Sequence, residues 1–489
     1  MLKNLPNIIL ILCDTLGAKH MSLYGYERKT TPNLEKLVER EGWAVYTRCF
    51  APASWTPPSH VSLFTGLYPS EHGTHGGNFF LNPGLNTIAI LLQQVGYFTV
   101  ALSNNNMVSR FFKFDTGFSQ FWEMWHLFPL DRFDEINKKI KNLNSRKKRL
   151  LKVLSSFLQT KEDKYIKFLI NSLCIKIYKL LWRKNYSVVW DTTPFTKKTF
   201  KQLSKLIPSI SKPYFIFVNL MQTHGKYNPP SLYRGKFSAS LEHPNFKKMY
   251  QSEEIWFEYY LKNPDWQDYL EYLKALYDEE ILFLDDILAK FIQFLKTQKE
   301  YDNTTIIITS DHGELFGEHG HVHHVFTTYN ELTHVPLLIK YPKDYNIKGE
   351  INNLTQLHDL YSTFFDLANI PFPAPISSKS LLSNEKRKIA ISQLIDVNFK
   401  IKGLKKRNPN FVPMDFMQPL MSIITEDFWK ITKRLDGHIE VYNLNNDLYE
   451  TRDLSNDNHY SKKITKLKEL INLLEKATGF DKAAVKPIK

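Results

Sequence analysis

Ala53 to Pro69 read A-S-W-T-P-P-S-H-V-S-L-F-T-G-L-Y-P. Thr56 stands directly before two prolines, a short apolar run follows, and Gly66 closes it. Proline fixes φ near a helical value and favours the first helical position. Gly66 supplies the residue type that ends helices. The spacing predicts a two-turn helix with Thr56 as its N-cap. Its hydroxyl then faces the positive end of the helix dipole, where anions are stabilised. Taken alone, that is a capped helix and nothing more.

Outward from this stretch, apolar runs alternate with helical periodicity. Ile8 to Cys13 is an unbroken apolar run, as a strand covered on both faces requires. Strands are also predicted over Tyr97–Leu102, Tyr214–Leu220, Thr304–Thr309 and Val335–Tyr341. Helices are predicted over Thr31–Glu41, Asn86–Val95, Asp268–Lys296 and Gln356–Ala368. This is the pattern of an α/β fold with a mainly parallel central sheet flanked by helices. Asp14, Thr56 and Asp311 then fall at strand ends or at a helix start nearby, the edge where open α/β sheets bind ligands. From about residue 415 short alternating runs appear, M-S-I-I-T, W-K-I-T-K-R and H-I-E-V-Y-N-L. They predict a small antiparallel sheet closed by a helix over Tyr460–Ala477. The organisation is therefore a catalytic domain over 1–414 and a C-terminal subdomain over 415–489.

Three blocks together carry a resemblance: T-P-P-S-H…S-L-F-T-G-L-Y-P, N-I-I-L-I-L-C-D ending at Asp14, and T-T-I-I-I-T-S-D-H-G-E with Asp311 and His312. In that order they resemble the sulfatase branch of the alkaline phosphatase superfamily. The resemblance implies that Asp14, Asp311 and His312 hold a divalent cation (Ca²⁺, Zn²⁺, Mn²⁺ or Mg²⁺) faced by the oxygen of Thr56. A carboxylate after one strand and an Asp-His pair after another do supply the O and N donors such ions take. It also implies Thr56 as the nucleophile. A free hydroxyl attacks poorly at neutral pH, and metal coordination activates it. A covalent Thr56 ester would form and then be hydrolysed.

Two residues depart from the sulfatase pattern. The family's nucleophile is a Cys or Ser oxidised to formylglycine. Threonine carries a methyl on Cβ and cannot give that aldehyde, so formylglycine is not expected. The family's Arg after P-S is His60. Threonine nucleophiles in the wider superfamily are typical of phosphodiesterases and of phosphoglycerol or phosphoethanolamine transferases. The chain therefore reads as a hydrolase of phosphate or sulfate esters, with phosphorus favoured. A phospho-headgroup transferase and an anion-binding pseudoenzyme are the alternatives.

Other pocket groups follow from the same resemblance. M-Q-T-H-G-K-Y-N-P-P places His224 on the family's substrate-contacting histidine. One of His323 and His324 falls where the family puts a substrate-binding Lys or His. Asn104 lies just past a strand end, where a Lys is frequent. His72 and His75 are further candidates. His319, His321 and His334 lie in the same histidine-dense segment, Gly317 to His334.

Net charge is +14, and it is concentrated. Between Lys138 and Lys184, fifteen Lys or Arg face two acids, Glu162 and Asp163, so this segment holds nearly the whole surplus. It lies in an insertion, about 125–210, that fits no family block. Its helical runs are apolar on one side and basic on the other. That suits an anionic membrane surface, or a lid showing lysines to water. Nucleic acid is not expected, since no recognised module accompanies the charge. The expected substrate is a small-molecule, glycan or lipid-headgroup ester. Three cysteines give no disulfide framework. No apolar run reaches membrane-spanning length, and the N-terminal one lacks a signal-peptide cleavage site. A cytoplasmic, at most peripherally membrane-bound, protein is expected.

Overall fold

The computed structural model describes residues 5–125, 155, 192–241, 266–371, 376–407 and 409–486. The basic stretch of the insertion, Lys138 to Lys184, lies outside the described residues, apart from residue 155.

Eight strands form the central sheet: β1 (Asn7–Cys13), β2 (Ala44–Tyr46), β3 (Phe98–Ser103), β4 (Gln120–Glu123), β5 (Tyr214–Leu220), β6 (Thr304–Thr309), β7 (Leu337–Lys340) and β8 (Gly349–Ile351). Their order is β8-β2-β7-β6-β1-β5-β3-β4. All pairs are parallel except those of β7, which runs antiparallel to both β6 and β2. The unbroken apolar run of β1 has the cause its sequence suggested. Ile9, Ile11 and Cys13 point into one core, and Ile8, Leu10 and Leu12 into the other. One core is covered by α1 (Pro32–Glu41) and the long α5 (Trp266–Lys296), with α4 (Thr193–Leu206) against it. The other is covered by α2 (Thr56–Thr65), α3 (Ile88–Gln94) and α6 (Asp359–Ala368).

Helix α2 follows the expected span, with one correction. Trp55, extended at φ −165°, is the N-cap, and Thr56 is the first helical residue. The amides that a capping side chain would bond, two and three positions on, belong to Pro57 and Pro58 and do not exist. Thr56 itself lies inside the helix and its hydroxyl makes no capping bond, because the Ser59 amide three positions on donates to the Trp55 carbonyl at 3.3 Å. Gly66 sits at φ +71°, where a Cβ would meet the Tyr361 ring at 2.5 Å. No residue with a side chain fits that close.

A second, four-stranded antiparallel sheet runs β9 (Ile389–Leu394), β10 (Leu420–Thr425), β11 (Trp429–Arg434) and β12 (Ile439–Asn443). Its first strand thus comes from before residue 415. Helix α8 (Ser461–Ala477) packs Ile464, Leu467 and Ile471 onto Ile423, Ile431 and Val441 of this sheet. Between β9 and β10 lies α7 (Asn398–Arg407). Cys13 and Cys49 are buried free thiols. Among the described residues no helix is long and apolar enough to cross a membrane.

Candidate active site

The C-terminal ends of β1, β5 and β6 lie side by side, because Leu12 pairs with both Asn219 and Thr309. The chain just beyond these ends carries Asp14, Gln222 to His224, and Asp311 with His312. Ligand atoms of Asp14, Asp311 and His312, one from each, lie within 4.8 Å of one another, and all three residues are buried. Asp311 Oδ1 accepts from the amides of Thr15 (3.3 Å) and His312 (3.0 Å). Asp14 Oδ2 accepts from Asn105 Nδ2 at 2.6 Å. The other two oxygens, Asp14 Oδ1 and Asp311 Oδ2, are buried with no hydrogen bond. Buried carboxylate oxygens left so are costly unless a charge compensates them. His312 Nδ1 lies 2.9 Å from the Gly313 carbonyl, which can only accept. Nδ1 therefore carries the proton, and Nε2 presents a lone pair to the cluster. Two open carboxylate oxygens and an imidazole lone pair are a donor set that fits a divalent cation.

Burial, then the Asp311 charge, push the Asp14 carboxyl above its ordinary range. Burial would also raise Asp311, but His312 and then His60 hold it below.

Thr56 Oγ1 lies 3.4 Å from His312 Nε2. Ser59, one turn into the same helix, donates its hydroxyl to the Asp311 carbonyl at 2.7 Å and ties α2 to the end of β6. His60 is fully buried behind Thr56. Its Nδ1 donates to the Thr56 carbonyl at 3.0 Å and lies 3.4 Å from Asp311 Oδ2, while Asn219 Nδ2 donates to its Nε2 at 3.2 Å. His60 thus bridges the first turn of α2 to the ends of β5 and β6.

The described residues place a row of imidazoles along one wall. The His324 ring lies 4.6 Å from that of His312 and 5.3 Å from that of His224. His324 Nδ1 donates to Glu314 Oε1 at 3.0 Å, and His323 Nδ1 is 4.0 Å from the same oxygen. Burial, then the charges of His312 and His224, push His324 well below the usual imidazole range. His224 Nδ1 donates to the Gly225 carbonyl at 2.9 Å.

A sequence profile of the family described as Sulfatase matches residues 6–370. The chain belongs to the sulfatase family. Residues 317–477 also match the C-terminal region of N-sulphoglucosamine sulphohydrolase. An N-acetylglucosamine-6-O-sulfatase of Bacteroides thetaiotaomicron is 26% identical over 419 residues, 78% of this chain and 71% of that protein. Arylsulfatase K of Homo sapiens is 23% identical over 406 residues, 77% of this chain and 66% of that protein. The phosphonate monoester hydrolase of Agrobacterium radiobacter shares the fold, with a TM-score of 0.68 at 18% identity over 97% of this chain and 96% of that one. The protein is thus a sulfatase-family hydrolase.

Not every expected residue joins the cluster. Asn104 is turned away: its Oδ1 accepts from Thr199 in α4 at 3.2 Å, and its neighbour Asn105 is the one bonded to Asp14. Gln222, no site candidate from the sequence, bonds Glu280 of α5. His72 bonds Ser62, and His75 lies beside Asp396. His319 stacks on Tyr329, His321 packs edge-on to Phe416, and His334 donates to the Thr47 carbonyl. Sequence reasoning missed Asn105, Ser59, Asn219 and Glu314. Glu314 stood in the D-H-G-E run beside the named pair. Ser59 likewise stood in the T-P-P-S-H run, whereas Asn105 and Asn219 carried no signal, because their roles arise from strands brought together in space.

Proposed function

We propose that the protein is a divalent-metal-dependent phosphoester hydrolase acting through Thr56. The observation that carries this reading is the Thr56 hydroxyl. It stands at the start of a fully buried helix, uncommitted to capping, 3.4 Å from His312 Nε2, which clusters with two carboxylates that have open oxygens. Asp14, Asp311 and His312 are the residues that would hold the cation. Bound there, the cation supplies Lewis acidity and neutralises charge on the substrate.

Thr56 Oγ1 attacks phosphorus and gives its proton to solvent water, an O–P bond forms, and the bond from phosphorus to the ester oxygen breaks. The released oxygen takes a proton from the His224 imidazolium, whose Nδ1 is already oriented by Gly225. The positive end of α2 stabilises the equatorial oxygens. Water then attacks the Thr56 ester and gives one proton back to His224, the bond from phosphorus to Oγ1 breaks, and Oγ1 regains a proton from solvent. His60 and Ser59 position the nucleophile by holding the first turn of α2. His323 contacts the bound ester, and His324, whose Nδ1–H is held by Glu314, offers its Nε2 lone pair to a hydroxyl of the substrate. Substrates are small-molecule or glycan esters, as the names of the relatives suggest.

The test is a panel of aryl phosphate monoesters, diesters and aryl sulfates, run with Ca²⁺, Zn²⁺, Mn²⁺ or Mg²⁺ added to metal-free protein, with and without an alcohol acceptor. Phosphate esters should turn over, with release to water. Turnover of sulfates alone would overturn the preference for phosphorus. Asp311→Ala should lose both bound metal and activity, and full metal occupancy in that variant would remove the ligand assignment.

A further inference from the structure

Helix α7 borders this site and contributes nothing to the chemistry above. It reads N-F-K-I-K-G-L-K-K-R and carries no acid. Two contacts fix where it lies. The Phe399 ring stacks on Trp55 at 4.8 Å and 20°, and Trp55 immediately precedes Thr56. Ile401 and Leu404 share a packed cluster with Val325 and Phe326, which immediately follow His323 and His324. The helix therefore spans from the nucleophile's own cap to the end of the imidazole wall. Its start is pinned as well, because a Cβ on Gly76 would meet the Asp396 carbonyl at 2.1 Å.

Lys400 sits between those two contacts, with Phe399 on one side and Ile401 on the other. It is exposed and makes no ion pair among the described residues. Its charge is felt by buried His324. Lys402 and Lys406 are exposed on the same helix, so the rim has a net positive field. A cation without an ion pair at the rim of an anion-processing site attracts any anionic substrate, and contributes most where the substrate carries a second charge beyond the scissile group.

Resting on the hydrolase reading, we propose that Lys400 is a specificity-determining residue: the enzyme selects esters whose leaving group bears a second anionic group, and Lys400 meets that group. A phosphorylated or sulfated sugar and a lipid headgroup with a second phosphate share this chemistry. Comparing kcat/KM on an N-sulfated sugar 6-phosphate and on a bis-phosphorylated glycerol distinguishes the two sources.

The test uses a matched pair, phenyl phosphate and 4-carboxyphenyl phosphate. Wild type should show a lower KM for the carboxylated ester. In Lys400→Gln the ratio of the two KM values should move about tenfold toward unity, the scale of one charge-assisted contact. Lys400→Arg should restore it, and high salt should erode it. An unchanged ratio in Lys400→Gln overturns the proposal. Binding is read separately from turnover by titrating Thr56→Ala with benzylphosphonate and 4-carboxybenzylphosphonate. A carboxylate preference that disappears on adding Lys400→Gln supports the role of Lys400 even where neither ester is cleaved, an outcome that would sink the hydrolase reading alone. Equal affinities for the two phosphonates in Thr56→Ala would overturn the role of Lys400.

Discussion

At the scale of single residues, the decisive side chain is Thr56. Its hydroxyl faces His312 and makes no cap bond, so removing it takes away chemistry and little stability. Thr56→Ala should lower turnover by several orders of magnitude, because groups acting as a unit lose most of their effect when one is removed. Urea unfolding of that variant should shift by less than about 1 kcal/mol, the usual size of an N-terminal helix effect. Thr56→Ser keeps the hydroxyl and should keep part of the activity. A Thr56→Ala protein turning over at the wild-type rate would refute the nucleophile. Most named ligand candidates were legible because their positions lie in short motifs: Asp14, Asp311 and His312 all came from contiguous runs. Asn105 was not legible. Its value comes from Asp14, 91 residues away, and nothing local distinguishes it from Asn104.

At the scale of elements, strand ends and helix starts meet with almost no slack. Gly313 follows His312 at the end of β6, and a Cβ there would lie 2.0 Å from the Glu331 carbonyl oxygen and 3.1 Å from the Gly17 Cα. Backbone on both sides cannot give way as a side chain would. Gly313→Ala should destabilise the protein by about 2 kcal/mol or more, as overpacking does. It should also lower metal occupancy, because the shift falls on His312. Denaturant titration and metal analysis together check this, and wild-type values in both would show that the segment can move. Elements long enough to show a period were read closely from sequence. Tyr214–Leu220 and Thr304–Thr309 match residue for residue, and the 31-residue α5 differs only at its start. Their covered faces leave long apolar runs that nothing else explains. Strand β9 was missed because I-A-I-S-Q-L is interrupted by two polar residues and stands before the alternating runs from which the second sheet was read.

At the scale of the whole molecule, the second sheet is locked to the segment carrying the imidazole wall. Lys430 on β11 is 1% exposed; it pairs with Glu450 at 2.8 Å and donates to the Thr328 carbonyl at 2.6 Å. Burial raises the Glu450 carboxyl to about 7 against the pull of Lys430. Lys430→Met should cost about 3–5 kcal/mol by stranding Glu450, and adding Glu450→Leu should recover much of it. Thermal and urea unfolding of the two variants test this, and equal losses in both would deny the coupling. Buried histidines set the acid limit. Burial depresses His72 and His358 to about 3 and His334 to about 4. Each is neutral when folded and takes a proton when unfolded below pH 6.5. Their stabilisation is therefore present above pH 6.5 and lost as pH falls toward 4. Between pH 6.5 and 5 the loss should be about 2 kcal/mol for each histidine. Urea midpoints that stay level over that range would contradict it.

By itself the sequence determined the α/β class, the order of the main elements and the short motifs that carry Asp14, Asp311 and His312, because apolar period and short-range motif are local properties of the chain. The tertiary structure decided which polar residues share a site. Asn105 rather than Asn104 reached Asp14, His60 turned inward between Asn219 and Asp311, and three of the five histidines in one segment went to packing. It also brought α7 to the rim of the pocket. Those outcomes depend on register between strands hundreds of residues apart, and a hydrogen bond selects its partner only after that register is set.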